Sequence, residues 1–137
     1  MATTETHARG TFEVKMTPQP ADERTEAALV GRMLIDKQFH GDMEAVSQGQ
    51  MLGFRSAVEG SAGYVAMERV IGALQGRTGA FVLQHSGTMA GGALQLSVTV
   101  VPDSGTGQLT GLAGSMKIII AEGKHSWEFD YTLPAAA

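Results

Sequence analysis

Glu68 and His85 are the residues whose types and spacing could do chemistry. In Gly79–Met89, "GAFVLQHSGTM", Phe81, Leu83, His85, Gly87 and Met89 share one parity, and Ala80, Val82, Gln84, Ser86 and Thr88 the other. A strand sends alternate side chains to opposite faces, so His85 falls on the more apolar side. The preceding segment, "GYVAMERVIG", sets Tyr64, Ala66, Glu68 and Val70 against Val65, Met67, Arg69 and Ile71, and its pattern alone does not choose a face. The hairpin between them does. With a two-residue Gln75–Gly76 turn, His85 faces Ala66 and lies diagonal to Glu68; with a four-residue Gln75–Thr78 loop it faces Glu68 directly. A three- or five-residue loop would separate them. A carboxylate beside an imidazole on an inward face can hold a proton and act as general acid or base. It can equally be a hydrogen-bonded pair that only stabilises the interior.

These residues need strands to carry them, and the chain reads as strands throughout. "TFEVKM", "LVGRMLIDKQF", "MEAVSQGQML", "GYVAMERVIG", "GAFVLQHSGTM", "ALQLSVTVV", "GSMKIIIA" and "HSWEFDYTL" are alternating segments separated by "HGD", "ALQGRT", "PDSGTG" and "EGK". Pro20–Leu29 is a connection with at most a helical turn. An antiparallel meander of this length stacks two sheets or closes into a barrel; interior glycines at 31, 49, 72 and 87 suit the tight bends of a barrel. The last strand turns Trp127, Phe129, Tyr131 and Leu133 inward, and its neighbours contribute Leu94, Leu96, Val98 and Val100. With Tyr64 and Tyr131 as hydroxyl donors, and Phe81, Leu83, Met116, Trp127 and Phe129 as apolar wall, these residues define the candidate ligand site. Residues 1–9, with His7, and 134–137 are expected to be frayed ends of a single 1–137 domain.

The remaining motifs weaken on inspection. "HGDME" gives His40, Asp42 and Glu44 a metal-like spacing, but the hairpin turn falls inside it, so a solvated Gly-Asp turn is the better reading. "GTGQLTG" does not fit a phosphate loop: Gly105, Gly107 and Gly111 miss G-x-G-x-x-G and no helix follows. Ser86 and Ser126 follow histidines directly and so point to opposite faces. His125 starts the last strand as a rim residue. The chain has no cysteine, which removes disulfides, thiolate metal sites and cysteine nucleophiles. Net charge is −4 without a Lys/Arg cluster, which argues against a nucleic-acid binder. No signal-peptide pattern and no apolar run of about 18 residues is visible, so the expectation is a soluble cytoplasmic protein with no membrane span. Eighteen glycines are roughly twice the usual ~7% share, and Met33, Met43, Met51, Met67, Met89 and Met116 lie in strands. Methionine adapts to irregular cavities and fills gaps in ordinary cores.

At "GDMEAVSQG", "SAGYVAMERVIGALQGRTGAFVLQHSGTM" and "VVPDSGTGQLTGLAGSMKI" the chain resembles small bacterial proteins grouped as a domain of unknown function with an allene oxide cyclase-like barrel. The likeness runs from about Gly10 to Leu133. It implies an all-β, eight-stranded antiparallel, calycin-like barrel with short hairpin connections, and no assigned activity. "GTGQLTGLAG" is similar to a glycine-rich strand of allene oxide cyclases and dirigent proteins, but no catalytic motif of theirs matches.

The resulting expectation is a barrel that binds a small apolar organic molecule, with Glu68 and His85 supplying proton transfer for a cofactor-free isomerisation or cyclisation. A non-enzymatic carrier, and an interaction barrel with a filled interior, are the alternatives. No cofactor or metal is expected; barrel relatives leave room for homo-oligomers, with no seam visible in the sequence.

Overall fold

The computed structural model describes residues 5–134, and within them not the side chain of Thr25. The strands are β1 (Thr6–Gln19), β2 (Gly31–Gly41), β3 (Met43–Arg55), β4 (Ala62–Leu74), β5 (Arg77–Ala90), β6 (Ala93–Val100), β7 (Thr106–Gly107), β8 (Ala113–Ala121) and β9 (Lys124–Thr132). One short helix, α1 (Glu23–Ala28), interrupts the β1–β2 connection. The order β4-β3-β2-β1-β9-β8-β6-β5 closes through β4–β5 pairing, giving an eight-stranded antiparallel barrel with β7 outside it on β5. Closure leaves one thin seam, where β6 and β8 meet at a single ladder pair.

The register decides the geometry of the hairpin in question. Ala66 pairs with His85 and Leu74 with Arg77, so Gln75–Gly76 is the two-residue turn. Both turn residues have positive φ, 46° and 84°, as the tight turn of a twisted hairpin requires.

Two expectations need correction. The N-terminal residues from Thr6 are not frayed: β1 pairs with β9 from Thr6↔Tyr131 onward, and His7 Nδ1 bonds Asp130 Oδ1 at 2.5 Å. Strand length there is set by a partner far away in sequence, not by local alternation. The connections are also not all short hairpins. Residues 101–112 leave β6, place β7 against β5 and return to β8, and on the way bury Leu109 and Leu112 to 1–2% exposure. This excursion closes one end of the barrel. Phe39, Met43, Leu74, Phe81, Trp127 and Phe129 pack at 0–1% exposure in the same core cluster as those leucines, with Phe81 stacked on Phe129 at 6.0 Å and Phe129 on Tyr131 at 5.2 Å.

Candidate functional site

Four neighbouring strands each deliver one polar side chain to the barrel interior. They are Lys37 (β2), Ser47 (β3), Glu68 (β4) and His85 (β5), all at most 8% exposed. Lys37 pairs directly with Ser47, Glu68 with Gly49, and His85 with Ala66, so Glu68 lies diagonal to both Ser47 and His85. Gly49 makes the arrangement feasible: a Cβ there would sit 2.8 Å from Glu68 Cβ, inside contact distance.

Glu68 is the hub. Its Oε2 accepts from Lys37 Nζ at 2.8 Å and from His85 Nε2 at 2.6 Å, and its Oε1 accepts from Ser47 Oγ at 2.7 Å. Burial alone pushes the carboxyl up, but the His85 hydrogen bond and the Lys37 charge outweigh it and bring the pKa down to about 2. Glu68 is therefore ionised at neutral pH. An ionised carboxylate only accepts, which fixes a proton on His85 Nε2. The other nitrogen, Nδ1, has no hydrogen-bond partner among the described residues, and none of their fully buried side-chain nitrogens or oxygens is left unbonded. Nδ1 therefore opens onto the space that His85 lines. The Lys37 ammonium also lies 5.2 Å from the Phe12 ring centroid and 5.8 Å from that of Phe39, within cation–π range.

That space is a cavity of about 320 Å³ in the half of the barrel opposite the plug. Ile35, Lys37, Ala66 and His85 form its floor; Met16, Leu94 and Ile120, 48–66% exposed, form its rim. The polar residues on its wall are Lys37, Tyr64, His85 and His125, and no carboxylate residue lines it. Tyr64 is held protonated, its pKa raised by burial and by the Glu68 charge. The mouth extends along the barrel's loosest seam: β6 and β8 share one ladder pair, Thr99↔Ser115, beyond which Leu94 and Leu96 lie opposite Ile118 and Ile120 without backbone pairing. A second cavity of about 350 Å³ adjoins, sharing Met51, Tyr64 and Leu94. The Tyr64 ring stands between the two against Gly87, where any Cβ would collide with it.

The structure brings Glu68, His85 and Tyr64 together as the strand register implies, and puts His125 on the cavity wall with its ring centroid 5.2 Å from that of Phe12 in an edge-on contact. It does not bring in the other expected ligand contacts. Phe81, Leu83, Met116, Trp127, Phe129 and Tyr131 are 0–4% exposed in the packed half and none lines the cavity. Trp127 Nε1 donates to Thr11 O at 3.0 Å, and Tyr131 OH bonds Gln75 Oε1. At the "HGD" turn, Asp42 accepts from Arg9 N at 2.9 Å, while His40 faces Glu13 and Glu44 at 3.6–3.7 Å. No group of three His, Cys, Asp or Glu among the described residues could hold a metal ion. No helix among them is long and apolar enough to cross a membrane.

Lys37 and Ser47 are the members that reading the sequence overlooked. Lys37 shares its parity with Met33, Ile35 and Phe39, the same kind of misplaced polar group that His85 is in β5.

Fold and site together define a closed antiparallel β-barrel with one plugged end and, in the other half, a largely apolar cavity floored by a buried ion cluster. The chain belongs to the family described as "Protein of unknown function (DUF3224)", which matches residues 8–131. A crystal structure of a DUF3224 protein of unknown function from Shewanella oneidensis MR-1 is similar at 50% identity and a TM-score of 0.88, covering 96% of this chain and 99% of that one. No curated protein matches the chain. Neither match bears on kinship with allene oxide cyclases.

Proposed function

We propose that the cavity takes a small, largely apolar organic molecule bearing one acidic group, and that His85 Nδ1 exchanges a proton with it. The observation that carries this reading is the unpartnered Nδ1 opening onto a largely apolar cavity, on a ring whose far nitrogen is held by Glu68. A proton leaving an acidic O–H or C–H of the ligand goes to the Nδ1 lone pair. The imidazolium so formed is stabilised by the Glu68 carboxylate, and the negative charge left on the ligand by the ammonium of Lys37, held on the same carboxylate oxygen as the ring. Return of the proton to a different atom of the ligand is a cofactor-free isomerisation; a carrier would use the same contacts without that step. At roughly 30 Å³ per non-hydrogen atom, 320 Å³ suits a ligand on the order of ten such atoms.

The matched probes 2-naphthoate and 2-naphthylmethanol test this. Calorimetric titration at pH 6 should show the acid binding at least tenfold tighter than the alcohol. His85→Gln should weaken the preference for the acid, leaving only the part due to Lys37, and keep alcohol binding within about twofold. Equal affinity for both probes, or a preference that His85→Gln leaves unchanged, would contradict the reading.

A further inference from the structure

The outer wall of an antiparallel barrel is ordinarily polar, since its inner face takes the apolar residues. That holds for β1 and β9, whose outward residues include Thr11, Glu13, Lys15, Ser126, Glu128 and Asp130. It fails on β2, β3 and β4. There Leu34, Val46, Leu52, Val65, Met67 and Ile71 point outward with 37–52% of their surface exposed. They lie in cross-strand rows: Leu34 with Gln50 and Met67, Leu52 with Val65, and Val46 with Ile71. Beyond them the wall turns polar again at Gln84, Ser86 and Thr88 of β5. The apolar band is three strands wide.

The row in the middle of this band names the partner. Asp36 pairs with Gln48, and Gln48 with Arg69, so opposite charges flank β3 about two strand spacings apart, ~10 Å. Neither Asp36 nor Arg69 has a salt bridge or side-chain hydrogen bond among the described residues. We infer that this face is the contact between two copies of the chain, related by a two-fold axis running along β3. Rotation about such an axis preserves height along the strand and exchanges the flanking strands. Asp36 then meets the partner's Arg69, Arg69 the partner's Asp36, and Leu34 the partner's Met67, while Val46, Gln48 and Leu52 meet themselves. A row with one charge type on both flanks would repel under this operation; this row pairs twice. The interface is isologous, as two-fold dimers require.

Charge reversal decides it. Wild-type protein should sediment as a dimer at tens of micromolar. Asp36→Arg and Arg69→Asp alone should each weaken self-association at least tenfold, because each sets two like-charge pairs in the contact. Mixing the two variants should restore a dimer, since both cross-contacts are then complementary again. All the side chains involved are exposed, so thermal unfolding should move by no more than a few degrees in either variant. A monomeric wild type, self-association unchanged by either reversal, or a loss that mixing does not repair would each overturn the inference.

Discussion

Glu68→Gln will lower the unfolding free energy at pH 7 by about 3–5 kcal/mol, the cost of leaving a buried charge uncompensated. The charge left behind is that of Lys37, 8% exposed and bonded to Glu68 Oε2 in the wild type. The effect depends on pH in a definite direction. The folded-state pKa of Glu68, about 2, lies below its ordinary value of 4.5, so the carboxylate stabilises the fold fully above the ordinary value. That stabilisation, about 3 kcal/mol from the gap between the two values, drains away as pH falls from about 5 to about 2. Urea titrations of wild type and Glu68→Gln across this range should therefore converge toward low pH. Adding Lys37→Met to Glu68→Gln removes both charges and should recover much of the loss, because a buried pair replaced as a unit costs far less than one broken. Parallel curves at all pH values, or a double variant worse than the single by the full cost of a second loss, would show that the cluster does not act as one unit.

Leu109→Ala will be nearly as costly, about 2–5 kcal/mol, although Leu109 lies in an irregular connection. Its side chain is 1% exposed and belongs to the same buried cluster as Phe81 and Phe129, so truncation opens a void in the closed end of the barrel. The rim gives the control: Ile120, 66% exposed, should change stability by no more than about 0.5 kcal/mol when cut to alanine. Denaturant midpoints for the two variants measure the contrast. A Leu109→Ala cost similar to that of Ile120→Ala would mean that residues 101–112 cover the barrel end without packing into it.

Side-chain parity and one turn carried most of what could be read in advance. Alternation in β5 put His85 beside Phe81 and Leu83, and the Gln75–Gly76 turn put Glu68 on the same wall; the structure joins them at 2.6 Å. Parity gives the face of a strand but not the height along the barrel axis. Tilt and stagger of the strands decide which inward residues share a level, and so Trp127, Phe129 and Tyr131 face inward yet pack in the plugged half. Lys37 carried the same signal as His85, but lysine commonly lays its stem on apolar surface with its charge in water, which masks such a pattern. Leu109 and Leu112 had no local pattern to show. Their burial comes from where the barrel's end lies in space, and the surrounding glycines read as turn.

The most direct test of the account is the protonation of His85 itself, read from the ring-nitrogen shifts in a long-range ¹⁵N–¹H correlation spectrum. In the free protein the neutral ring should carry its proton on Nε2, against Glu68, with Nδ1 holding the lone pair. Saturation with 2-naphthoate should move the Nδ1 resonance toward that of a protonated nitrogen. A neutral ring protonated on Nδ1 instead, or an Nδ1 resonance that 2-naphthoate leaves unmoved, would contradict the role assigned to this histidine.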